Sequence, residues 1–390
     1  MNSREVSWPV FGLEEVDAVV GVLRSGRVNY WTGEEGRRFE HAFAAFVGAP
    51  YGIALANGTV ALELALIAAG VGPGDEVIVT PRSFMASVSA VVLSGARPVF
   101  VDVDRDSQNM TPDTVAAALT PRTKAILAVH LAGWPFDAPA LRSLAQAHGV
   151  YLIEDCAQAH GARIAGRCVG SFGDAAAFSF CQDKIMTTGG EGGMLLLQDE
   201  EQWRRAWAYK DHGKSYAAVY EREHRAGFRW LHESFGTNWR MTEMQAAIGR
   251  VQLSKLAGWL ATRKRNAMLY AERLSQVPGL RVPLPPEGVE HAWYKFYCFV
   301  RPEALRSSWS RDRILAEIRS AGIECFTGSC PEIYLEKAFE GTGQRPERRL
   351  PVAQQLGETS LMLAVDPTVT ESDVNRACDG IADVMRRACR

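Results

Sequence analysis

Short apolar runs, each closed by a turn residue, alternate with amphipathic helical patterns through the first two-thirds of the chain. The runs Tyr51–Ala54, Glu76–Thr80, Arg97–Val101, Ala125–His130, Tyr151–Glu154, Ala176–Phe180 and Gly193–Leu197 read as strands. Between them, Thr59–Ala69, Thr111–Ala118 and Ala138–His148 read as helices. Strands that are apolar almost throughout, alternating with helices, predict an α/β fold. Its core is a large, mixed but mostly parallel sheet covered on both faces. Ligands of such sheets sit beyond the carboxyl ends of the strands. Candidate chemistry is therefore sought where the apolar runs stop.

Near residue 242 the pattern changes. Thr242 and Gln245 have the spacing of a capping box, and Met244, Ile248, Val251, Leu253 and Leu256 continue as a long helix. This helix is expected to leave a large α/β domain (residues 1–256) and lead into a smaller C-terminal α+β domain (residues 257–390). Val282–Pro286 and Glu340–Glu347 read as loops within the latter. No internal repeat or low-complexity tract interrupts the 390 residues.

Composition narrows the class. With 47% hydrophobic and 23% charged residues the chain has the make-up of a globular enzyme, and its formal charge of -2 supplies no basic field for nucleic acid. Eight cysteines, at 156, 168, 181, 298, 325, 330, 378 and 389, show no CxxC pair and no zinc spacing. They read as thiols of a reducing compartment. The opening Met1–Ser7 lacks the apolar core of a signal peptide, and no apolar run is long enough to span a bilayer. A soluble, cytoplasmic protein without membrane or nucleic-acid partners is expected.

Three separated segments could carry chemistry. Ala56-Asn57-Gly58-Thr59 follows a strand and opens a helix, so its free backbone N–H groups and a hydroxyl would face an anion; an Asn-Gly turn with a threonine cap is the plainer alternative. Tyr151–Asp155 is an apolar strand ending on acids, followed by Gln158, His160 and Gly161. A carboxylate there suits a pyridinium nitrogen, because an adjacent anion favours the protonated ring; a helix cap is the alternative for Asp155, and no histidine-rich partner set supports a metal. His160 reads as a strand-end histidine with its hydrogen bonds met, rather than as a catalyst. The third segment, Phe178–Lys184, is followed by the glycine-rich Thr188–Gly193. A lysine just past a buried strand is placed to form a Schiff base, since desolvation makes the amine nucleophilic near neutral pH. Phosphate cradle, strand-end carboxylate and lysine are what a protein must supply to pyridoxal 5'-phosphate.

In order and spacing these segments resemble the DegT-like family of sugar aminotransferases, fold-type I pyridoxal-phosphate enzymes. The likeness runs nearly the whole chain, from Tyr30-Trp31-Thr32-Gly33 and Phe39-Glu40 to Gly236–Arg240 and Ala246–Gly249. It implies that Lys184 carries the cofactor, Asp155 pairs with the ring nitrogen, Gln158 lies beside the ring hydroxyl and Phe84 stacks on the ring. It implies further that Gly58, Thr59 and Ser179 hold the phosphate, and that Asn238 reaches it from a neighbouring subunit, which makes a homodimer with shared sites. Core packing for Phe84, helix surface for Gln158 and a turn for Asn238 are the bland alternatives. Where family members usually carry Ser-Gly-Thr, this chain has Asn57-Gly58-Thr59. Some relatives replace the lysine with histidine and dehydrate their substrate; the presence of Lys184 favours transamination.

By family habit the amino donor is glutamate, and the acceptor is the keto or aldehyde carbon of a sugar, usually nucleotide-linked. The texts around Lys184, Asp211–Ser215 and Gly328–Tyr334 are similar to a branch that makes 8-amino-3,8-dideoxy-manno-octulosonate for lipopolysaccharide. Tyr30, His212, Lys214 and Arg229 are candidates for binding an anionic acceptor or the donor carboxylates, with solvated loop charges as the alternative for Lys214 and Arg229. A lyase or dehydratase on the same scaffold and a non-catalytic cofactor-binding regulator are the rival readings. A nicotinamide dehydrogenase is disfavoured, because no G-x-G-x-x-G follows the early strands.

Overall fold

The computed structural model describes residues 7–390, so all but Ser7 of the opening segment lies outside the described residues. Seven strands form the large sheet: β1 (Tyr51–Leu55), β2 (Glu76–Val79), β3 (Arg97–Phe100), β4 (Thr123–Val129), β5 (Tyr151–Asp155), β6 (Ala175–Ser179) and β7 (Gly193–Leu197). Every expected strand is present, its ends displaced by no more than two residues. The spatial order is β1-β7-β6-β5-β4-β2-β3, and all neighbours run parallel except β7, which is antiparallel to both β1 and β6.

Alternate residues of each strand go to opposite faces, and both faces are buried. Ile53, Val77, Leu127 and Ile153 join one apolar cluster with the Gly58–Ala68 helix, while Ile78, Ile126 and Leu152 join another with the Ala138–His148 helix. This is why the strands read as unbroken apolar runs.

The carboxyl ends of β1, β2, β5 and β6 lie on one edge, and β5 is central. Its last two residues point to opposite faces. Asp155 faces the candidate site, while Glu154 is anchored in the opposite layer. There Glu154 accepts hydrogen bonds from the backbone N–H groups of Gly170, Phe172 and Gly173 at 2.8, 2.8 and 2.6 Å, and lies 3.0 Å from His130 Nε2. His130 Nδ1 accepts from the Phe136 N–H, so Nε2 carries the proton that goes to Glu154. These contacts hold the Glu154 carboxyl below its usual range despite burial. The strand end that presents Asp155 is thereby fixed from behind.

A 32-residue helix, Glu243–Leu274, starts at the capping box formed by Thr242 and Gln245. At 1.5 Å per residue it is about 48 Å long. Its first half (Ala246, Leu256) packs with Phe39, Phe178 and Phe180; its second half (Ala267, Tyr270, Leu274) belongs to a separate core. Residue 257, the expected start of the small domain, lies inside this helix. The second core covers an antiparallel sheet of β8 (Leu280–Arg281), β9 (Phe296–Val300), β10 (Cys325–Phe326) and β11 (Ser360–Leu363), in the order β8-β9-β11-β10, with the helices Arg311–Ser320 and Glu371–Ala388. A small three-stranded sheet joins Val289–Glu290 to Arg163–Ile164 and Arg167–Cys168. Among the described residues, no helix is long and apolar enough to cross a membrane.

Glu154→Ala leaves His130 and three backbone N–H groups without their buried partner. It is expected to lower stability by about 3–5 kcal/mol, read as a fall in the urea midpoint at unchanged slope; a midpoint equal to wild type would show that the pair is dispensable.

Candidate active site

Four strand ends and one face of the small sheet enclose a cavity of about 920 Å³. The first wall is the turn after β1. Asn57 caps the following helix, its Oδ1 accepting the Val60 N–H at 3.1 Å, which leaves the N–H groups of Gly58 and Thr59 in the first turn without intrahelical partners. The turn is squeezed from two sides. A Cβ added to Gly58 would lie 2.6 Å from Ser179 Cβ, and one added to Gly193 would lie 2.2 Å from the Asn57 carbonyl oxygen. Glycine at both positions lets backbone from β1, β6 and β7 meet around one point. Ser179 Oγ accepts the Cys181 N–H at 3.4 Å, so its own proton is free to donate into the cavity. Free N–H groups at a helix start beside a hydroxyl form an anion cradle.

The β5 end supplies Asp155, which is 4% exposed. Its Oδ2 accepts from Ser87 Oγ at 2.7 Å and its Oδ1 from the Ala157 N–H at 3.1 Å. Burial raises the carboxyl above its ordinary range; the two hydrogen bonds and the Lys184 charge oppose that rise. Gln158 follows, buried, its Oε1 taking the Ala132 N–H at 2.8 Å, so that its amide NH₂ remains to donate. It lies in a turn and not on a helix surface.

Lys184 sits in the turn after β6. The Trp8 indole donates to its carbonyl at 2.7 Å, and its own N–H donates to the Cys181 carbonyl at 3.1 Å. Thr187 Oγ1 donates to the Phe180 carbonyl at 2.9 Å and the Gln182 N–H to the Gly190 carbonyl, also at 2.9 Å, which ties the glycine-rich segment back on the strand. The Lys184 side chain is 14% exposed, with Nζ 3.8 Å from Asp183 Oδ1 and 5.2 Å from the Tyr294 ring centre. The Tyr294 hydroxyl bonds to the other Asp183 oxygen. Phe84 forms part of the rim, its ring 69% exposed and therefore not core.

The remaining wall comes from beyond the long helix: Tyr294, Lys295, Phe326, Met362 and Gly328–Cys330. Tyr297 Oη accepts the Ser329 N–H at 2.9 Å, and Gly328 is required beneath it, since a Cβ there would lie 2.3 Å from that oxygen. Ser87, Tyr294 and Lys295 were not singled out from the sequence. Ser87 stands three residues after Phe84, and Tyr294-Lys295 lies within the aromatic-rich run Trp293–Phe299; neither bears a local mark of a site. Cys181 and Cys330 are half-buried pocket thiols, and all eight cysteines are free.

Five other candidates lie outside this cavity in the chain's own fold. Tyr30 is buried, with its hydroxyl 3.2 Å from Glu40 Oε2 and 3.3 Å from the Trp207 indole nitrogen, and the Lys210 ammonium 3.5 Å above its ring. Its hydroxyl is already engaged, so the expectation of a substrate contact is not met within this chain. His212 is exposed in a left-handed conformation, and Lys214 lies 3.5 Å from Asp211 Oδ1 and 4.1 Å above the Trp31 ring. Arg229 and Asn238 are exposed, Asn238 being bridged through its backbone to Asp211. His160 also departs from expectation. It is buried among Phe43, Phe178 and Phe180, and neither ring nitrogen has a hydrogen-bond partner at ordinary geometry. Burial pushes it down to about 3, so it is neutral packing.

A cavity bounded by an anion cradle, a buried carboxylate and a lysine, on this sheet order, defines an aminotransferase of the pyridoxal-phosphate kind. The chain belongs to the DegT/DnrJ/EryC1/StrS aminotransferase family, which it matches over residues 10–382. It is similar to the aminotransferase from Psychrobacter cryohalolentis, at 56% identity and a TM-score of 0.96 over 98% of this chain and 99% of that one. It is 39% identical to the UDP-N-acetyl-3-dehydro-alpha-D-glucosamine 3-aminotransferase of Acidithiobacillus ferrooxidans, over 91% of this chain and 89% of that protein. Spr1654 from Streptococcus pneumoniae in its PLP form superposes with a TM-score of 0.87 at 26% identity, over 98% of each chain. Membership makes the protein an aminotransferase and implies pyridoxal phosphate as its cofactor. The tight cradle at Gly58 and the lysine and carboxylate in one cavity fit that group.

Gly58→Ala should raise the dissociation constant for pyridoxal phosphate by about tenfold or more, because overpacking of this size costs about 1–3 kcal/mol. Binding of unphosphorylated pyridoxal should change little. Equal losses for both, measured by absorbance titration, would mean that Gly58 serves packing alone.

Proposed function

We propose that the protein transfers the amino group of glutamate to the keto or aldehyde carbon of a sugar. The acceptor is a nucleotide-linked deoxysugar or an acid of the 3-deoxy-octulosonate type, destined for cell-surface polysaccharide such as lipopolysaccharide, or for a secondary metabolite. The convergence of Lys184 and Asp155 in one cavity carries this reading, and the named activities of the relatives agree with it.

Pyridoxal phosphate, when bound, supplies an electrophilic aldehyde and a ring that accepts electrons. Gly58, Thr59 and Ser179 would hold its phosphate, with Gln158 beside the ring hydroxyl and Phe84 over the ring, since all five line the one cavity. Asp155 keeps the ring nitrogen protonated, because a buried anion favours the cationic form of its neighbour. Lys184 Nζ would be the covalent anchor, and when free its amine would serve as the base that accepts the proton of the donor Cα. Asp183, fixed by the Tyr294 hydroxyl, stands 3.8 Å from that amine and orients it between transfers. The acceptor half-reaction uses the same proton path in reverse.

The reading includes a cytoplasmic homodimer with shared sites. Asn238 does not line its own cavity, and it follows a loop whose Phe228, Trp230 and Phe235 are exposed, as befits a segment covered by a second copy. His212, Lys214 and Arg229 belong to that same side of the reading, whereas Tyr30 is buried with its hydroxyl on Glu40 and Trp207. A large domain of residues 1–256 and a small one of 257–390, meeting along the long helix, would enclose the acceptor between them.

Incubation with glutamate and a panel of keto-sugars should release one 2-oxoglutarate for each amine formed. Product formation without consumption of glutamate would establish the lyase or dehydratase reading instead, and cofactor binding without turnover on any acceptor would favour a regulator. Lys184→Ala should abolish turnover and the absorbance of covalently held cofactor, and Asp155→Asn should cut kcat by orders of magnitude while the fold persists. Wild-type rates in either variant would refute its assigned role.

A further inference from the structure

We infer that Ser87, backed by Ser83, is a positioning residue that keeps the Asp155 carboxylate ionised and aimed at the ring of the cofactor. The inference rests on the reading of Asp155 just given, and goes beyond it to the groups that make the role possible. Ser87 is 2% exposed, in the first turn of the Ala86–Leu93 helix, and its Oγ lies 2.7 Å from Asp155 Oδ2. Ser83, also buried, places its Oγ 3.0 Å from that of Ser87.

Counting protons fixes the direction of this chain. An ionised carboxylate only accepts, so the single Ser87 proton goes to Asp155. Ser83 must then donate to Ser87, and the two hydroxyls point the same way along the line Ser83 to Ser87 to Asp155. Aligned donors polarise one another, and in a dry site a donor to an anion counts for more than one in water. With the Ala157 N–H on Oδ1, each carboxylate oxygen has one donor from behind, which fixes the plane of the group and leaves its remaining lone pairs for the cavity.

The chain does not end at Ser83. Ser83 forms a backbone bridge with Cys330, and the Ile333 N–H donates to the Pro81 carbonyl at 2.8 Å. Both partners belong to the 328–334 segment, whose start is set by Tyr297 Oη on the Ser329 N–H. The hydroxyl pair is therefore clamped between the end of β5 and the segment that forms the outer wall of the cavity. The titratable groups near Asp155 are Lys184, from the turn after β6, and His130, from the end of β4; Glu154 and Cys156 flank it in the chain, and His130 is itself engaged by Glu154 on the other face of the sheet. None of them donates a hydrogen bond to the Asp155 carboxylate, so Ser87 is its one side-chain donor among the described residues.

The test uses the holoenzyme with three variants: Ser87→Ala, Ser83→Ala and Asp155→Asn. Loss of the Ser87 donor pushes the Asp155 carboxyl further up, so the anion is lost at a higher pH. In Ser87→Ala the acid limb of kcat/KM should move upward by about one to two pH units, as a hydrogen bond to a charged group is worth. The pH dependence of the absorbance of bound pyridoxal phosphate should move with it, while KM for glutamate stays within about twofold. Ser83→Ala should move both profiles in the same direction by a smaller amount, and serves alone if Ser87→Ala does not fold. Wild-type profiles in the serine variants, alongside a crippled Asp155→Asn, would overturn the inference and leave the role of Asp155 standing. A fully active Asp155→Asn would instead remove the reading beneath it.

Discussion

A buried carboxylate at the end of the central strand, held by hydrogen bonds on both of its oxygens, is the feature around which this site is arranged. Desolvation drives Asp155 toward its neutral form, and a neutral acid could not hold a protonated ring nitrogen. The fold answers by placing Asp155 at the end of the central strand, where neighbouring strands and the next helix bring donors from several directions. Glu154, one residue earlier, is saturated by three backbone N–H groups and His130 on the reverse face, so the strand end cannot rotate. Two adjacent acids thus have separate places, one fixing the backbone and the other lining the cavity.

The antiparallel β7 has a comparable consequence for the anion cradle. Because it runs against its neighbours, its first residue, Gly193, lies at the same edge as the last residues of β1 and β6. A side chain at Gly193 or Gly58 would force the three segments apart. The glycines therefore matter here less for conformational freedom than for the space they leave. That space brings the helix N-terminus and the Ser179 hydroxyl to one point, and the chain after β7 is then free to return to the far side of the sheet.

The long helix links this edge to the second core. Its first half is buried against the phenylalanines behind the lysine turn and its second half in the small sheet. A cavity wall from residues beyond 290 is thereby held in register with strands before 200. Relatives of the chain differ in what they aminate, and a wall built by loops of the small sheet is where such differences can accumulate without disturbing the carboxylate, the cradle or the lysine.

Much of this was legible in the residues alone. The alternation of apolar runs and helical patterns marks every strand of the large sheet, because a strand buried on both faces is apolar except where a polar side chain finds buried partners, as Glu154 and Asp155 do. Thr242 and Gln245 announce the long helix through a local cap, and Asp155 and Lys184 stand out because each ends or follows an apolar run. These are short-range signals, carried by residues a few positions apart. What the tertiary structure alone decided is of another kind: the reversed direction of β7, the pairing of Ser87 with Asp155 across 68 positions, the entry of Tyr294 and Lys295 into the cavity and the removal of Tyr30 from it. Such contacts depend on strand order and on which loop folds over which edge. No periodicity records them, since a serine or tyrosine has the same local preferences whether its hydroxyl meets solvent, a carboxylate or a ligand.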